Sequence, residues 1–393
     1  MGACMTTTAD GHACHEEWIQ RTKLKRKFPS SPLTEHACVD GRLCANGISK
    51  SCCAYSKQGQ KGVSQDRFIA WEGLGAERQA VLCGVFDGHG PMGHLVAHKV
   101  RNSLSRFLSS EENISLLVST KWQACTERGH LDSTTTESSD DLVPLRNVFV
   151  DCYERMDNEL RTQAQTDCEF SGTTAVTLLI QGRNLVIANV GDSRAILASR
   201  KADGLSLHVE QLTVDFKPDL PGELERIKNC KGRVFALEDE PEVARLWLPH
   251  ENRPGLAMAR ALGDFCLKEY GLSAIPHVCF RRIDEDDEFV VLATDGVWDV
   301  MSNEEVANVV KNTESKGMAA KKVVDAAVKK WKRNFTHVRM DDCAVVCHFL
   351  NQKHSISVCY SDMSQSSSRL MNSELLHQES TTNTVAPCLD RGI

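Results

Sequence analysis

The sequence has no run of 18 or more apolar residues, so no stretch is long enough to cross a bilayer as a helix. Its first thirty residues also lack the apolar core of a secretory signal, which sets the expectation of a chain that is not exported. No two cysteines form a CxxC pair, although there are 17, an odd number scattered from Cys4 to Cys388. In a reducing compartment they read as buried thiols, not as a disulfide framework. Basic charge is not in excess either: 46 Lys plus Arg stand against 53 Asp plus Glu, a net charge of −7. A nucleic-acid coat needs a basic surface, so nucleic acid is not an expected partner. There is no internal repeat. What is present is an ordinary globular balance, 41% hydrophobic and 25% charged over 393 residues, with ample material for a core and compatible with a soluble enzyme.

Three stretches stand apart from that core. Residues 1–56 read as an irregular arm holding six cysteines and the basic run Lys23-Leu24-Lys25-Arg26-Lys27. Residues 351–393 are rich in Ser and Thr without apolar periodicity, the composition of a disordered tail. Residues 131–141 (LDSTTTESSDD) read as a surface loop. The remainder, 57–350, is one block uncut by any linker. Strand patterns fall at 81–86, 173–180, 184–190, 195–198, 288–293 and 343–350, and Gln181-Gly182-Arg183 marks a hairpin. Helical spacing covers 95–107, 147–160 and 318–331, and Ser302-Asn303-Glu304-Glu305 predicts a capping box. Hairpins mixed with packed helices indicate an α+β layered domain and fit a doubly wound parallel sheet less well.

Four strand ends carry an aspartate beside a glycine or a second acid: Asp87-Gly88, Gly191-Asp192, Asp295-Gly296 and Asp341-Asp342. Taken singly, each is an ordinary turn. As a set, aspartates from distant segments meeting at one sheet end repel unless a cation lies between them. Hard divalent ions, magnesium or manganese, take such oxygen ligands. A pair of them about 3.5–4 Å apart suits phosphoryl chemistry.

Five ordered motifs carry a family resemblance. Val85-Phe86-Asp87-Gly88-His89-Gly90, Ser171-Gly172-Thr173-Thr174-Ala175, Ala188-Asn189-Val190-Gly191-Asp192-Ser193-Arg194, Ala261-Leu262-Gly263-Asp264 and Ala293-Thr294-Asp295-Gly296-Val297-Trp298-Asp299 resemble the type 2C metal-dependent serine/threonine protein phosphatases, and the arm, the flap sequence and the tail look most like the plant members. The resemblance implies an α-β-β-α sandwich, two stacked antiparallel sheets flanked by helices. It implies phosphoprotein substrates, with phosphoserine and phosphothreonine hydrolysed by a water bound between two Mg2+ or Mn2+ ions. By the same resemblance Asp87 bridges the ions, the Gly88 carbonyl binds one, and Asp295 and Asp341 complete the pair. Asp192 and Asp299 match the acids of a third, weaker metal site, and Asp66 matches a carboxylate that orients water. His89 is the candidate acid for the leaving oxygen, since an imidazole pKa near 6.5 is usable at cell pH. No cysteine lies in a phosphate-cradling loop, so a cysteine-dependent mechanism has no support.

The chain departs from the family in its first motif, Gln58-Gly59-Gln60-Lys61-Gly62-Val63-Ser64-Gln65-Asp66. Lys61 stands where an arginine binds the substrate phosphate, and Gln65 replaces a glutamate. A lysine offers a point charge where guanidinium offers a fork. These two changes keep alive the alternative of a phosphatase-fold pseudoenzyme acting as an interaction protein. Asp342 remains a one-residue alternative to Asp341. Residues 232–257 are expected to form a flap with Trp247 and Pro249, acidic at Glu238, Asp239, Glu240 and Glu242. It reads either as a solvated loop or as a site favouring basic substrates. The start, Met1-Gly2-Ala3-Cys4-Met5-Thr6, fits N-myristoylation, with Cys4 or the basic run as the second signal that stable membrane association needs. The expected location is cytoplasmic or at the plasma membrane, although the basic run also reads as a nuclear address. His12-Ala13-Cys14-His15 lacks a partner pair and reads as exposed arm. Without heptads, monomer is the default.

Overall fold

The strands 175–181 (AVTLLIQ) and 184–190 (NLVIANV) are too apolar to leave one face wet, and neither face is. Successive side chains in a strand point to opposite sides. Leu179, Val186 and Ala188 therefore join a core on one side, while Leu178, Leu185 and Ile187 join a core on the other. The computed structural model, which describes residues 41–43, 47–120, 142–162, 168–335 and 339–350, is built on this doubled burial. One six-stranded antiparallel sheet runs in the order Arg42–Leu43, Arg67–Leu74, Ala80–Phe86, Ala175–Gln181, Asn184–Val190 and His277–Arg282. A second runs Leu207–Gln211, Arg194–Arg200, Asp287–Ala293, Cys343–Phe349, Cys52–Lys57 and Gly47–Ile48.

The middle core lies between the sheets, because Val85, Val176 and Leu178 of the first share it with Leu197, Leu292 and Val346 of the second. Burying a side chain of this kind contributes about 1.5–3 kcal/mol. Outside the first sheet lie helices Gly93–Leu108 and Val143–Thr162, whose Val96, Val100, Leu104, Phe149 and Met156 pack on Leu82 and Leu179. Outside the second lie Asn303–Lys311 and Ala319–Asn334. The face predicted for the latter, Val323, Val324, Ala327, Val328 and Trp331, is buried as a unit. The predicted capping box forms: the Glu305 N–H donates to Ser302 Oγ at 3.2 Å, and the Ser302 N–H to Glu305 Oε2 at 2.9 Å. This is the α-β-β-α sandwich that the motifs implied.

Two expectations are corrected. The arm does not stay irregular to residue 56, because Cys52–Lys57 is a strand inside the second sheet, paired with Cys343–Phe349. The flap is not a loose loop. Arg233–Leu237, Glu240–Trp247 and Pro254–Leu256 form a three-stranded sheet, with Trp247 fully buried and stacked on Phe235 at 4.9 Å. Glu238, Asp239 and Glu242 remain exposed near its hairpin tip, while Glu240 pairs with Arg245. The 131–141 loop, the 351–393 tail, the acylation pattern, the basic run and His12-Ala13-Cys14-His15 lie outside the described residues.

Candidate active site

Strand register brings the acidic turns to one end of the sandwich. In the first sheet Val85 lies opposite Val176 and Ala175 opposite Val190; in the second, Ala293 lies opposite both Arg194 and Val345. Asp87, Asp192 and Asp295 each stand two residues beyond Val85, Val190 and Ala293, and Asp341 stands four residues before Val345. Thr174 holds the Asp87 backbone from both sides, its Oγ1 accepting from the Asp87 N–H at 3.0 Å and its N–H donating to the Asp87 carbonyl at 2.9 Å. Thr294 Oγ1 donates to Asp66 Oδ2 at 2.7 Å and accepts from the Ala344 N–H at 2.9 Å. Two glycines make the close approach feasible. A Cβ on Gly88 would come within 2.4 Å of the Gly93 carbonyl oxygen, and one on Gly296 within 1.8 Å of the Asp342 carbonyl oxygen.

The carboxylates form a string. Asp87 lies close enough to Asp66 and to Asp295 for each to act on its carboxyl. Asp66, Asp87 and Asp295 are all buried. Burial pushes their carboxyls well above the ordinary range, and neighbouring acids add to it: Asp342 acts on Asp66, Asp295 on Asp87, and Asp341 on Asp295. Asp341 is pushed up to about 6 by burial, with the Lys61 ammonium pulling the other way. One oxygen each of Asp66, Asp192 and Asp295 is buried without a partner among the described residues. Stranded acceptors among mutually repelling acids fit a hard divalent cation, which takes oxygen ligands and cancels the repulsion.

Lys61 is one-third exposed and pairs with the Asp341 carboxylate. Asp342 is engaged elsewhere, its two oxygens accepting the Gly59 and Gln65 N–H groups, both at 2.7 Å. The Gln65 side chain donates to the Gly90 carbonyl at 3.2 Å. Asp192 pairs with Lys217 at 2.5 Å. Burial acts to lower the Lys217 ammonium, but Asp192, with Asp295 and Asp299 nearby, raises it. The Asp299 N–H donates to the Asp295 carbonyl at 2.8 Å, which places it one turn further along the same short helix. His89 stands apart from the string. It is buried, its Nε2 lies 2.5 Å from Asp264 Oδ2, and its Nδ1 has no partner among the described residues.

Sequence reasoning missed Lys217 and the role of Asp264. Lys217 is a lone lysine in a loop and carries no local signal. Asp264 lies in a motif that was noticed, but its pairing with His89 spans 175 residues and depends on a backbone φ of +51° that few residues other than glycine adopt.

Two antiparallel sheets between helix layers, with buried acids gathered at one edge, are the architecture of the metal-dependent protein phosphatases. The chain belongs to the protein phosphatase 2C family, whose model matches residues 51–334. It is 44% identical to "Probable protein phosphatase 2C 1" of Arabidopsis thaliana over all of this chain and 87% of that one. It is 47% identical to "Probable protein phosphatase 2C 52" of the same plant, over 93% of this chain and 83% of the relative. Among solved structures, a serine-threonine phosphatase 2C from Toxoplasma gondii superimposes with a TM-score of 0.65 at 23% identity, covering 78% of this chain and 98% of that one. A C. elegans sex determining protein gives 0.58 at 21% identity, over 77% of this chain and 65% of its own. At such identities these two speak for the fold alone. The family is one of divalent-metal-dependent protein phosphatases, and the chain is a plant-like member of it.

Proposed function

We propose that the chain hydrolyses phosphoserine and phosphothreonine in proteins, using two Mg2+ or Mn2+ ions held by Asp87, the Gly88 carbonyl, Asp295 and Asp341. The observation that carries this reading is the string of buried, mutually repelling carboxylates with unpartnered oxygens. When bound, the ions supply an activated water and neutralise the phosphate. Asp87, with Asp66 and Asp295 both acting on its carboxyl, would be the ligand the ions share. Asp341 serves in place of Asp342, because both Asp342 oxygens already accept backbone N–H groups. Asp192 and Asp299 would hold a third, weaker ion, with the Lys217 ammonium paired to Asp192 in its absence.

The remaining residues handle protons and position. Asp66, with one oxygen fixed by Thr294, directs its free oxygen to the attacking water. Lys61, at the exposed rim, meets the substrate phosphate as a point charge. His89 protonates the leaving seryl or threonyl oxygen from Nδ1, and Asp264 on Nε2 sets the ring. Phosphate release from a phosphothreonine peptide tests the proposal. Turnover is expected with Mn2+ or Mg2+ and none with chelator. Folded protein that is silent with every divalent ion would point instead to an interaction protein.

A further inference from the structure

Cys52, Cys83 and His348 meet inside the sandwich and have no part in the reaction proposed above. Cys52 and His348 are register partners on adjacent strands of the second sheet, and Cys83 reaches across from the strand Ala80–Phe86 of the first. Both cysteines are fully buried and His348 is 5% exposed. Cys52 Sγ lies 3.9 Å from Cys83 Sγ and 3.2 Å from His348 Nδ1, and the three donor atoms all fall within 4.8 Å of one another. Among the described residues they are the one group of three His, Cys or carboxylate donors drawn together so closely. The place is distant from the carboxylate string. His348 stands five residues along its strand from Cys343, roughly 16 Å at a rise of about 3.3 Å per residue, and Asp341 lies two residues before that strand begins.

The spacing is that of ligands around a metal. Zinc–sulfur bonds of about 2.3 Å in a tetrahedron separate two sulfurs by about 3.8 Å. The sulfurs here already stand at that separation, held by two sheets whose packing sets it. Two thiols and an imidazole are soft and borderline donors, which select zinc over magnesium or manganese. A way in also exists. A cavity of about 710 Å³ is lined by Ser51, Glu72 and His348. Ser51 Oγ lies 3.3 Å from His348 Nδ1 and bonds the Glu72 carboxylate, so an oxygen donor stands ready on the cavity side. Cys53 and Cys347 are neighbours in sequence but face the helix layer, and they take no part.

We propose that Cys52, Cys83 and His348 form a binding site for a zinc-class divalent ion that ties the two sheets together, with its fourth position open to the cavity. The full chain, stripped with chelator and kept reduced, is titrated with Co2+ in excess Mg2+. The expected result is one Co2+ per chain with thiolate-to-cobalt charge-transfer absorption that persists in Cys343→Ala, which removes the thiol beside the carboxylate string, and displacement of that ion by Zn2+. Cys52→Ser and Cys83→Ser each weaken this binding at least tenfold, whereas Cys347→Ala keeps it. Zn2+ also raises the thermal midpoint of the wild-type chain. Absence of thiolate–cobalt absorption in the wild-type chain overturns the proposal without recourse to any variant. So does an absorption unchanged in folded Cys52→Ser and Cys83→Ser, or a Cys52–Cys83 disulfide mapped in the protein as isolated.

Discussion

His89 carries an aspartate on one ring nitrogen and no partner on the other among the described residues, an arrangement suited to passing a proton in one direction. Replacing it with Asn removes the donor while keeping a polar side chain. His89→Asn is expected to lower kcat by about 10²–10⁴-fold in steady-state assays, the usual worth of a placed acid. An unchanged kcat would remove His89 from the reaction. Lys217 presents a different case, because its ammonium stands where a cation is wanted beside Asp192. Lys217→Met leaves a buried carboxylate without its partner, at a cost of about 1–3 kcal/mol. The variant is expected to melt earlier than wild type in chelator and to gain more from Mn2+, as read by thermal unfolding. Equal gains in both proteins would separate Lys217 from the metal site. These residues also mark what was legible. Asp87, Asp192 and Asp295 announce themselves by sitting beside glycine at the ends of apolar strands. A single lysine in a loop, or an aspartate whose partner is 175 residues away, does not.

The strands recognised in advance, such as 81–86 and 184–190, are those buried on both faces, which makes them continuous apolar runs. Cys52–Lys57 (CCAYSK) was missed because only its first three residues are fully buried and its pairing depends on a strand nearly three hundred residues later. Leu207–Gln211 lies at a sheet edge with no fully buried residue, so its pattern is faint. The short helix Pro221–Asn229 is held by Glu223, which accepts from Arg260 Nη2 at 2.6 Å and Arg226 Nη2 at 2.7 Å. Burial acts to raise the Glu223 carboxyl, but these two guanidinium groups outweigh it and leave it below the ordinary range. A carboxyl lowered on folding stabilises above its unfolded pKa of about 4.3, and that contribution is lost as pH falls through the folded value. Glu223→Gln is therefore expected to lower the thermal midpoint at pH 7, with the gap to wild type closing below about pH 4. A gap that persists in acid would assign the effect to packing.

At the scale of the whole molecule, the sandwich makes the site possible because each sheet supplies part of it: Asp66 and Asp87 flank strands of the first, Asp295 and Asp341 strands of the second. Neither sheet alone brings these acids together, and the middle core that joins the sheets also sets the spacing of the carboxylates. The motifs made this architecture readable, since they identified a family whose layers are known. The ordered flap sheet and the early start of the folded region were not readable, because they rest on pairings between segments without motifs. The most direct test of the central claim compares wild type with Asp87→Asn and Asp295→Asn. Mn2+ binding is measured by calorimetry and phosphate release from a phosphothreonine peptide is measured on the same samples. Carboxylates that hold the metals predict that both variants stay folded, bind Mn2+ at least about 100-fold more weakly, and lose turnover to match. Variants that bind Mn2+ and turn over like wild type would contradict it.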